Sequence, residues 1–191
     1  MVTTFDISGG SRVAPLRAPR ADGERLRYRL DVVGGSAADV VQSAGGWMYD
    51  RVMAGWEVTA LLTDSCDTRS LRILGVQALE LESEFVPTGS PSQSLAVSAE
   101  VFTADAHIRE KVLKALDHRR AEVALWGDGW SLGMNRTMTR AQHVLSAAAR
   151  VFKGYALAAA GIPCDSVDPT ETLLCDMAAC LPVDSELIQL G

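Results

Sequence analysis

The stretch from Leu26 to Asp64 constrains the fold more than any other part of the chain, because it contains a strand, a turn, a helix and a second strand. Leu26, Tyr28 and Leu30 alternate with charged residues, which is the period of a half-buried strand. A glycine pair leads into a long segment with helical apolar spacing, and a more apolar strand follows it. This order predicts an α/β unit in which a helix connects two parallel strands.

The turn of this unit carries clear helix signals. Gly34-Gly35 ends the first strand, and Ser36 is a favourable N-cap residue. Asp39, three residues later, supplies the acidic half of a pair that resembles a capping box and suits the positive end of a helix. The helix is predicted to end near residue 54, because Gly55 is placed as a C′ residue.

A second glycine pair, Gly45-Gly46, lies in the middle of this predicted helix. Each glycine costs about 1 kcal/mol relative to alanine inside a helix. We therefore expect either the close approach of another chain segment at this point or a kink in the helix.

The rest of the chain continues the alternation of strands and helices. The segment 68–75 fits either a short helix or half of a hairpin, and Gly75 favours the helix because it reads as a helix stop. The other predicted elements are strands at 57–63, 76–82, 95–101 and 122–126, a loop at 87–94, and helices from Thr103 or Asp105 to His118, at 140–160, and from Asp168 to Leu181.

These elements predict an α/β fold with an open, mostly parallel sheet of about five strands and helices on both faces. The alternative is an α+β fold with an antiparallel sheet and helices on one face, which the charged face of the first strand favours. Residues 1–24 mix Gly, Ser, Pro and Arg without periodicity and predict a flexible N-terminal arm, so residues 25–191 form the single predicted domain.

Composition excludes some functional classes. The net charge of −6 argues against nucleic acid as a partner, because phosphate binding needs a basic surface. The most apolar long segment, 144–162, carries Arg150 and Lys153, so no membrane span is predicted. The cysteines, Cys66, Cys164, Cys175 and Cys180, match no common zinc spacing, so no metal site is predicted and a cytoplasmic thiol state is expected.

The predicted helix 140–160 is rich in alanine, which allows close packing against the sheet or across a dimer. A protein partner or a homo-oligomer through this helix is therefore a candidate. Its buried face is predicted to consist of Val144, Ala148, Val151, Phe152, Tyr155 and Ala159.

The first glycine turn is the main candidate ligand site. Backbone N–H groups at a helix start favour anions, and Gly34, Gly35 and Ser36 would allow a phosphate to approach closely. Asp64, at the end of the second strand, occupies the position where nucleotide-binding α/β folds place a ribose-binding acid. A small anionic ligand is thus a candidate, although the turn matches neither GxGxxG nor a P-loop.

A second candidate segment is the glycine-rich stretch 127–140, which follows a predicted strand. In open α/β sheets the loops after strands line the ligand crevice. Asp128 could accept a proton or a hydrogen bond, and Asn135 and Arg136 could hold an anion. With the first glycine turn, these residues complete the candidate binding set.

Two short motifs resemble Rossmann-type proteins. Gly55-Trp56-Glu57-Val58-Thr59 is similar to their entry into a second strand, and the segment 71–76, LRILGV, to their entry into a third. The resemblance implies a fold rather than an activity.

No complete catalytic motif occurs, so catalytic residues and a cofactor are left unassigned. The absence of such a set favours a non-catalytic interaction or regulatory protein, such as a subunit of a larger assembly. The alternative hypothesis is a Rossmann-like protein, with or without enzymatic activity, that binds a nucleotide or a phosphorylated metabolite at the first glycine turn.

Overall fold

The computed structural model describes residues 28–64, 67–81, 93–118, 122–128, 138–175 and 187–189, and in these ranges the chain forms eight strands and five helices. The strands are β1 (Arg29–Gly34), β2 (Glu57–Leu62), β3 (Gln77–Glu80), β4 (Gln93–Ser98), β5 (Glu122–Trp126), β6 (Thr139–Val144), β7 (Thr170–Cys175) and β8 (Leu187–Gln189). The helices are α1 (Ala37–Met53), α2 (Arg69–Ile73), α3 (Ala99–Ala104), α4 (Ala106–His118) and α5 (Ala147–Ala159).

All eight strands described belong to one sheet with the order β3-β2-β1-β4-β5-β7-β6-β8. Five consecutive strands of this order, β3, β2, β1, β4 and β5, run parallel to one another. β7 runs antiparallel to both of its neighbours, and β8 runs antiparallel to β6. The predicted α/β fold with a mostly parallel sheet is confirmed, and three further strands extend the five parallel ones on one side.

Helices cover both faces of this sheet. Leu30 and Val32 of β1 belong to the apolar cluster that includes residues of α1, α2 and α5. Val33 belongs to the opposite cluster, together with residues of α3 and α4. The charged face of the first strand does not prevent burial, because Gln93 Nε2 on β4 donates a hydrogen bond to the buried carboxylate of Asp31.

Helix α1 begins and ends as predicted. Ser36 is its N-cap, and its Oγ accepts a hydrogen bond from the backbone N–H of Asp39 at 3.2 Å. The C-cap is Ala54, and Gly55 follows with a φ of 90°, which L-residues with a side chain rarely adopt.

The glycine pair inside α1 is explained by a close approach. The side chain of Leu145 lies against Gly46, where an added Cβ would overlap its terminal methyl groups. The backbone N–H groups of Gly46 and Trp47 also donate hydrogen bonds to the carboxylate of Glu171, at 2.8 and 2.7 Å. Lys153 of α5 completes this arrangement, since its Nζ donates to Glu171 Oε1 and to the carbonyl oxygen of Gln42.

Segment 68–75 forms the short helix α2, in agreement with the favoured prediction. The backbone N–H of Arg69 donates to Asp67 Oδ1 at 3.0 Å, and Gly75 follows the helix with a φ of 75°. That backbone hydrogen bond, together with one from the Arg69 side chain, holds the pKa of the Asp67 carboxyl below its usual value. A carboxyl with a lowered pKa supports the folded state above its unfolded pKa, and this support is lost as the pH falls through the lowered value.

Three predicted elements differ from the structure in their bounds or in their type. The strand predicted at 95–101 ends at Ser98, because α3 begins at Ala99. Residues 140–144 of the predicted helix 140–160 belong to β6. Residues 170–175 of the helix predicted from Asp168 to Leu181 form strand β7, and residues 176–181 lie outside the described residues. Both strands form because β7 pairs with β5 on one side and with β6 on the other, and such pairing overrides local helix signals.

The predicted buried face of the last long helix is also wrong. Val151, Phe152 and Tyr155 are 53%, 38% and 63% exposed, and Val144 and Ala148 are exposed as well. The face that packs on the protein instead carries Ala149, Lys153, Ala156 and Leu157. A buried lysine is tolerated there because Glu171 and a main-chain carbonyl of α1 accept its hydrogen bonds.

The predicted N-terminal arm lies outside the described residues, as does most of the predicted loop 87–94. Gln93 and Ser94, at the end of that loop, belong to β4. In the described part of the chain, no helix has both the length and the apolar character that a bilayer crossing requires.

Candidate functional site

The loop between β1 and α1 is tightly packed around Gly34. A Cβ at this position would collide with Cγ2 of Val40 and would lie 3.4 Å from Asp39 Oδ2. Valine is stiff at χ1, so it cannot easily move aside. Glycine at position 34 therefore lets the first turn of α1 fold back over the end of β1, and this turn carries Asp39.

The sheet order changes direction at β1, which has β2 on one side and β4 on the other. The connections from β1 to β2 and from β4 to β5 place their helices on opposite faces of the sheet. A crevice opens at the carboxyl ends of the strands where the order reverses in this way, and ligands of open α/β sheets bind there.

A cleft of about 650 Å³ occupies this position. Its walls come from the first turns of α1, from α3 and from the end of β5. The lining residues are Asp39, Ser43, Ser98, Ala99, Glu100, Thr103, Ala104, Trp126, Gly127 and Asp128.

Asp39 is the most firmly held of the acidic side chains in the cleft. Trp126 Nε1, at the end of β5, donates a hydrogen bond to Asp39 Oδ1 at 3.2 Å. Ser43, one turn further along α1, donates to the same oxygen at 3.5 Å. Asp39 Oδ2 is buried and accepts no hydrogen bond from the residues that the structure describes.

Two further carboxylates line the same cleft. Glu100 lies in the first turn of α3, directly after β4, and its Oε2 is 3.8 Å from the point that a Cβ on Gly35 would occupy. Asp128 follows Gly127, which ends β5 with a φ of 90°. Three parallel strands, β1, β4 and β5, thus each deliver one carboxylate to the cleft.

The structure brings together only part of the predicted ligand set. Asp64 lies next to the first glycine turn, because its backbone N–H donates to the Gly35 carbonyl oxygen at 3.1 Å. The exposed side chain of Asp64 follows β2 and does not line the cleft. The hydroxyl of Ser36 already accepts a hydrogen bond from the backbone N–H of Asp39. Asp128 does line the cleft. Asn135 and Arg136 lie outside the described residues.

Sequence reasoning did not select Asp39, Glu100 or Trp126 as site residues. The sequence pattern accounts for Asp39 as part of a helix cap. Each of the three lies at, or within five residues of, the carboxyl end of a parallel strand, and this shared position was the usable signal.

A metal site is not evident in the described ranges, because no group of three or more His, Cys, Asp or Glu side chains there is arranged to hold an ion. The three carboxylates therefore line one cleft without forming a metal-ligating cluster. Carboxyl groups in a cleft can accept hydrogen bonds and exchange protons.

The architecture is that of an α/β protein with a cleft at the carboxyl ends of its parallel strands. No family model matches the sequence, and no curated protein matches it. Similar structures occur among solved proteins, and two of them align with 78% and 85% of this chain.

One similar structure is the antimicrobial reagent A40926 pseudoaglycone deacetylase Dbv21, with 15% sequence identity, a TM-score of 0.53, and coverage of 78% of this chain and 96% of that one. Another is a deacetylase of the teicoplanin biosynthesis pathway in complex with teicoplanin, with 12% identity, a TM-score of 0.47, and coverage of 85% and 99%. The similarity to the A40926 pseudoaglycone deacetylase, at 15% identity, concerns the fold alone.

The first of these comparisons contradicts the hypothesis of a non-catalytic interaction or regulatory protein, because the protein in the similar structure is a deacetylase. The alternative hypothesis of a nucleotide or phosphorylated-metabolite site is also not supported. The cleft is lined by carboxylates, which repel phosphate, and the N-terminal turn of α1 already carries Asp39.

Proposed function

We propose that this chain is an enzyme that hydrolyses an acyl–nitrogen bond, as a deacetylase does, and that the reaction takes place in the cleft beside Asp39. The observation that carries the proposal is that three carboxylates, from the ends of three parallel strands, line one cleft at the reversal of the sheet order. The fold shared with the A40926 pseudoaglycone deacetylase supports it.

The reaction class needs groups that move protons. The oxygen of a water molecule forms a bond to the acyl carbon while a base takes its proton, and the carbon–nitrogen bond then breaks as the nitrogen receives a proton. Positioned carboxyl groups can supply both the base and the acid, and such general acid–base catalysis contributes typically about 10²- to 10⁴-fold. The products are a carboxylic acid and an amine.

The environments of two carboxylates suggest different tasks. Asp39 is held in one orientation by Trp126, which suits a group that must keep a fixed position relative to the substrate. Glu100 is exposed on α3 and faces the Gly34-Gly35 turn, where a water molecule can reach it. We therefore assign Glu100 the role of proton acceptor and Asp39 the role of the oriented carboxylate at the leaving nitrogen.

Substitution of either residue should abolish most of the activity. The Asp39→Asn and Glu100→Gln variants keep the side-chain size but remove the carboxylate, so kcat/KM should fall by about 100-fold or more. The assay incubates the protein with A40926 pseudoaglycone and, separately, with N-acetylbenzylamine, and follows the released amine with fluorescamine and acetate by NMR.

Asp64→Asn is the matched control, because Asp64 lies near the same turn but outside the cleft lining. It should retain full activity, and thermal unfolding of all variants checks that they fold. Wild-type protein that releases no amine from either amide, or variants at positions 39 and 100 that work as well as wild type, would contradict the proposal.

A cytoplasmic location is proposed on the basis of cysteine chemistry. Cys164 is an exposed thiol whose Sγ contacts the carbonyl oxygen of Ser166, and exposed thiols persist in reducing compartments. Subcellular fractionation of the expressed protein tests the location, and recovery outside the cytoplasm would contradict it.

Association of two copies through α5, the helical part of the segment 140–160, stays a prediction. The outward face of α5 supports it, because Val151, Phe152 and Tyr155 are exposed and Arg150 is its one charged residue. Sedimentation velocity of the full chain over a range of concentrations tests it, and a monomer at every concentration would contradict it.

A further inference from the structure

We propose that the hydroxyl of Ser98 is the hydrogen-bond donor that binds the acyl oxygen of the substrate amide in the cleft. The inference rests on the proposed function for the reaction in which this donor acts. The contact itself joins one side chain to an amide carbonyl, so it can also be measured without turnover.

Ser98 is the last residue of β4, the strand that lies beside β1 where the sheet order reverses. Side chains alternate between the two faces of a strand, and Ala96 and Val97 belong to the apolar clusters on opposite faces. Ser98 therefore points to the face of Ala96, which α1 covers. Its partner on β5 is Trp126, which belongs to the same cluster and donates to Asp39. The hydroxyl thus enters the cleft from the same face as Asp39.

The Ser98 hydroxyl is deeply placed but has no partner in the described part of the protein. The residue is 3% exposed and lines the cleft. Although it is the N-cap of α3, its side chain makes no capping hydrogen bond, and it bonds to no other residue that the structure describes. Its oxygen is not sealed from solvent as Asp39 Oδ2 is, so it is open to a ligand in the cleft. Polar groups at this depth normally have a partner, and a bound ligand can supply it.

The other side-chain donors in the described lining of the cleft are already engaged. Ser43 and Trp126 both donate to the Asp39 carboxylate. The hydroxyl of Thr103 donates to a main-chain carbonyl oxygen of α3 at 2.8 Å. Ionised carboxylates can only accept hydrogen bonds. Among the described lining residues, Ser98 is therefore the side chain that can donate to an oxygen of the substrate.

An amide group needs both kinds of partner. Its N–H is a donor that the carboxylates of the cleft can accept, and its carbonyl oxygen is an acceptor that they cannot satisfy. Carboxylates alone would also repel the negative charge that develops on this oxygen during hydrolysis. The hydroxyl of Ser98 supplies the missing donor at the wall of the same cleft.

The donor would act in the first step of the reaction. As the water oxygen forms its bond to the acyl carbon, the π electron pair of the carbonyl moves onto the acyl oxygen, which becomes negative. Ser98 donates a hydrogen bond to this oxygen and keeps its own proton. The electron pair returns to the carbon as the carbon–nitrogen bond breaks and the nitrogen receives a proton. Because the charge on the oxygen is largest near the transition state, the hydrogen bond should raise kcat more than it lowers KM.

The first test is kinetic. Ser98→Ala removes one oxygen atom, so the fold should persist, and thermal unfolding checks this. In the hydrolysis assay with N-acetylbenzylamine, kcat should fall about 100-fold while KM changes by less than about threefold. Ser70→Ala is the matched control, because Ser70 is another buried serine without a hydrogen-bond partner among the described residues, and it lies on α2 outside the cleft lining. It should keep the wild-type kcat.

The second test measures the contact without turnover. The probe is N-acetylbenzylamine labelled with ¹³C at the carbonyl carbon, and the protein carries Glu100→Gln to slow hydrolysis. A hydrogen bond to a carbonyl oxygen moves the ¹³C signal downfield, so the bound amide should show a downfield shift. Ser98→Ala in the same background should remove this shift, and Ser70→Ala should leave it in place.

Wild-type kcat in Ser98→Ala would overturn the inference and leave the proposed function standing. A carbonyl signal that does not shift, or a shift that Ser98→Ala leaves unchanged, would overturn it as well. So would an acetyl adduct on Ser98 in peptide mass spectrometry, because a nucleophile forms such an adduct and a donor does not. A carbonyl shift that depends on Ser98 supports the inference even if no amide in the hydrolysis assay is cleaved, so the two proposals fail separately.

Discussion

Replacement of Lys153 by methionine is expected to lower the free energy of unfolding by about 3 kcal/mol or more. Lys153 is buried, and its Nζ donates hydrogen bonds to Glu171 and to the carbonyl oxygen of Gln42 on α1. Methionine fills similar space but leaves the buried carboxylate of Glu171 without its counter-charge. Removal of one partner of a buried pair typically costs about 3–5 kcal/mol for this reason.

The measurement is urea unfolding followed by far-UV circular dichroism, at neutral pH. Lys114→Met is the matched control, because Lys114 pairs with Glu110 on the exposed side of α4 at 2.7 Å. Exposed pairs of this spacing contribute about 0.3–0.5 kcal/mol, so the control should remain close to wild type.

A double variant identifies the cause of the effect. In Lys153→Met/Glu171→Gln the residual charge is gone, and the amide oxygen can still accept a hydrogen bond from the N–H of Gly46 or Trp47. The double variant should therefore be more stable than Lys153→Met alone. A double variant that is less stable by the sum of the two single losses would contradict an unpaired buried charge as the cause.

The adjacent glycines of α1 should respond to alanine with opposite signs. Helix propensity alone predicts that each glycine-to-alanine change stabilises the helix by about 1 kcal/mol. At Gly46 the new methyl group would overlap the buried side chain of Leu145, and overpacking of this kind typically costs about 1–3 kcal/mol. Gly46→Ala should therefore lower the stability of the protein, because the cost of the overlap exceeds the gain in helix propensity.

Gly45→Ala is the built-in control for this prediction. A Cβ at position 45 would meet Leu74 and Val41 at 3.4 Å, which is close to ordinary van der Waals contact. This variant should match or exceed the wild-type stability in the same urea experiment. Addition of Leu145→Ala to Gly46→Ala should relieve the overlap, so a double variant in which the two losses add fully would contradict the steric explanation.

Both experiments concern the segment that also presents the cleft. Asp39 lies near the start of α1, and the contacts of Lys153, Glu171 and Leu145 fix the middle of the same helix. Destabilised variants that remain folded should therefore be compared in the hydrolysis assay, because a shift of α1 moves Asp39 relative to β5.

Sequence patterns were reliable where the interactions that shape an element are local. The first strand–helix–strand unit, the cap at Ser36, the stop at Gly55 and the strand 122–126 agree with the structure. The sequence offers Thr103 or Asp105 as the start of the helix that ends at His118. Asp105 is the one that caps α4, since its Oδ1 accepts a hydrogen bond from the backbone N–H of His107. Hydrogen bonds between close neighbours and the period of apolar residues are encoded within a few residues.

The same reasoning failed where the partner is distant in sequence. Thr170–Cys175 carries a helix-like start but becomes a strand, because β5 and β6 offer it backbone partners. Lys153 occupies the buried face of α5, and its partner Glu171 is 18 residues away on β7. A hydrophobicity pattern assigns a lysine to solvent, and only the folded chain shows that its charge is paired.

The candidate site shows the same contrast between features that are local in sequence and features that depend on distant residues. The sequence by itself determined the glycine turn, the helix that starts at Ser36, and the strand ends where polar side chains would collect. Only the tertiary structure decided that Asp39, Glu100 and Asp128 line one cleft and that Asp64 does not. The physical reason is that the sheet order, set by pairing between strands far apart in the chain, selects which loop ends become neighbours.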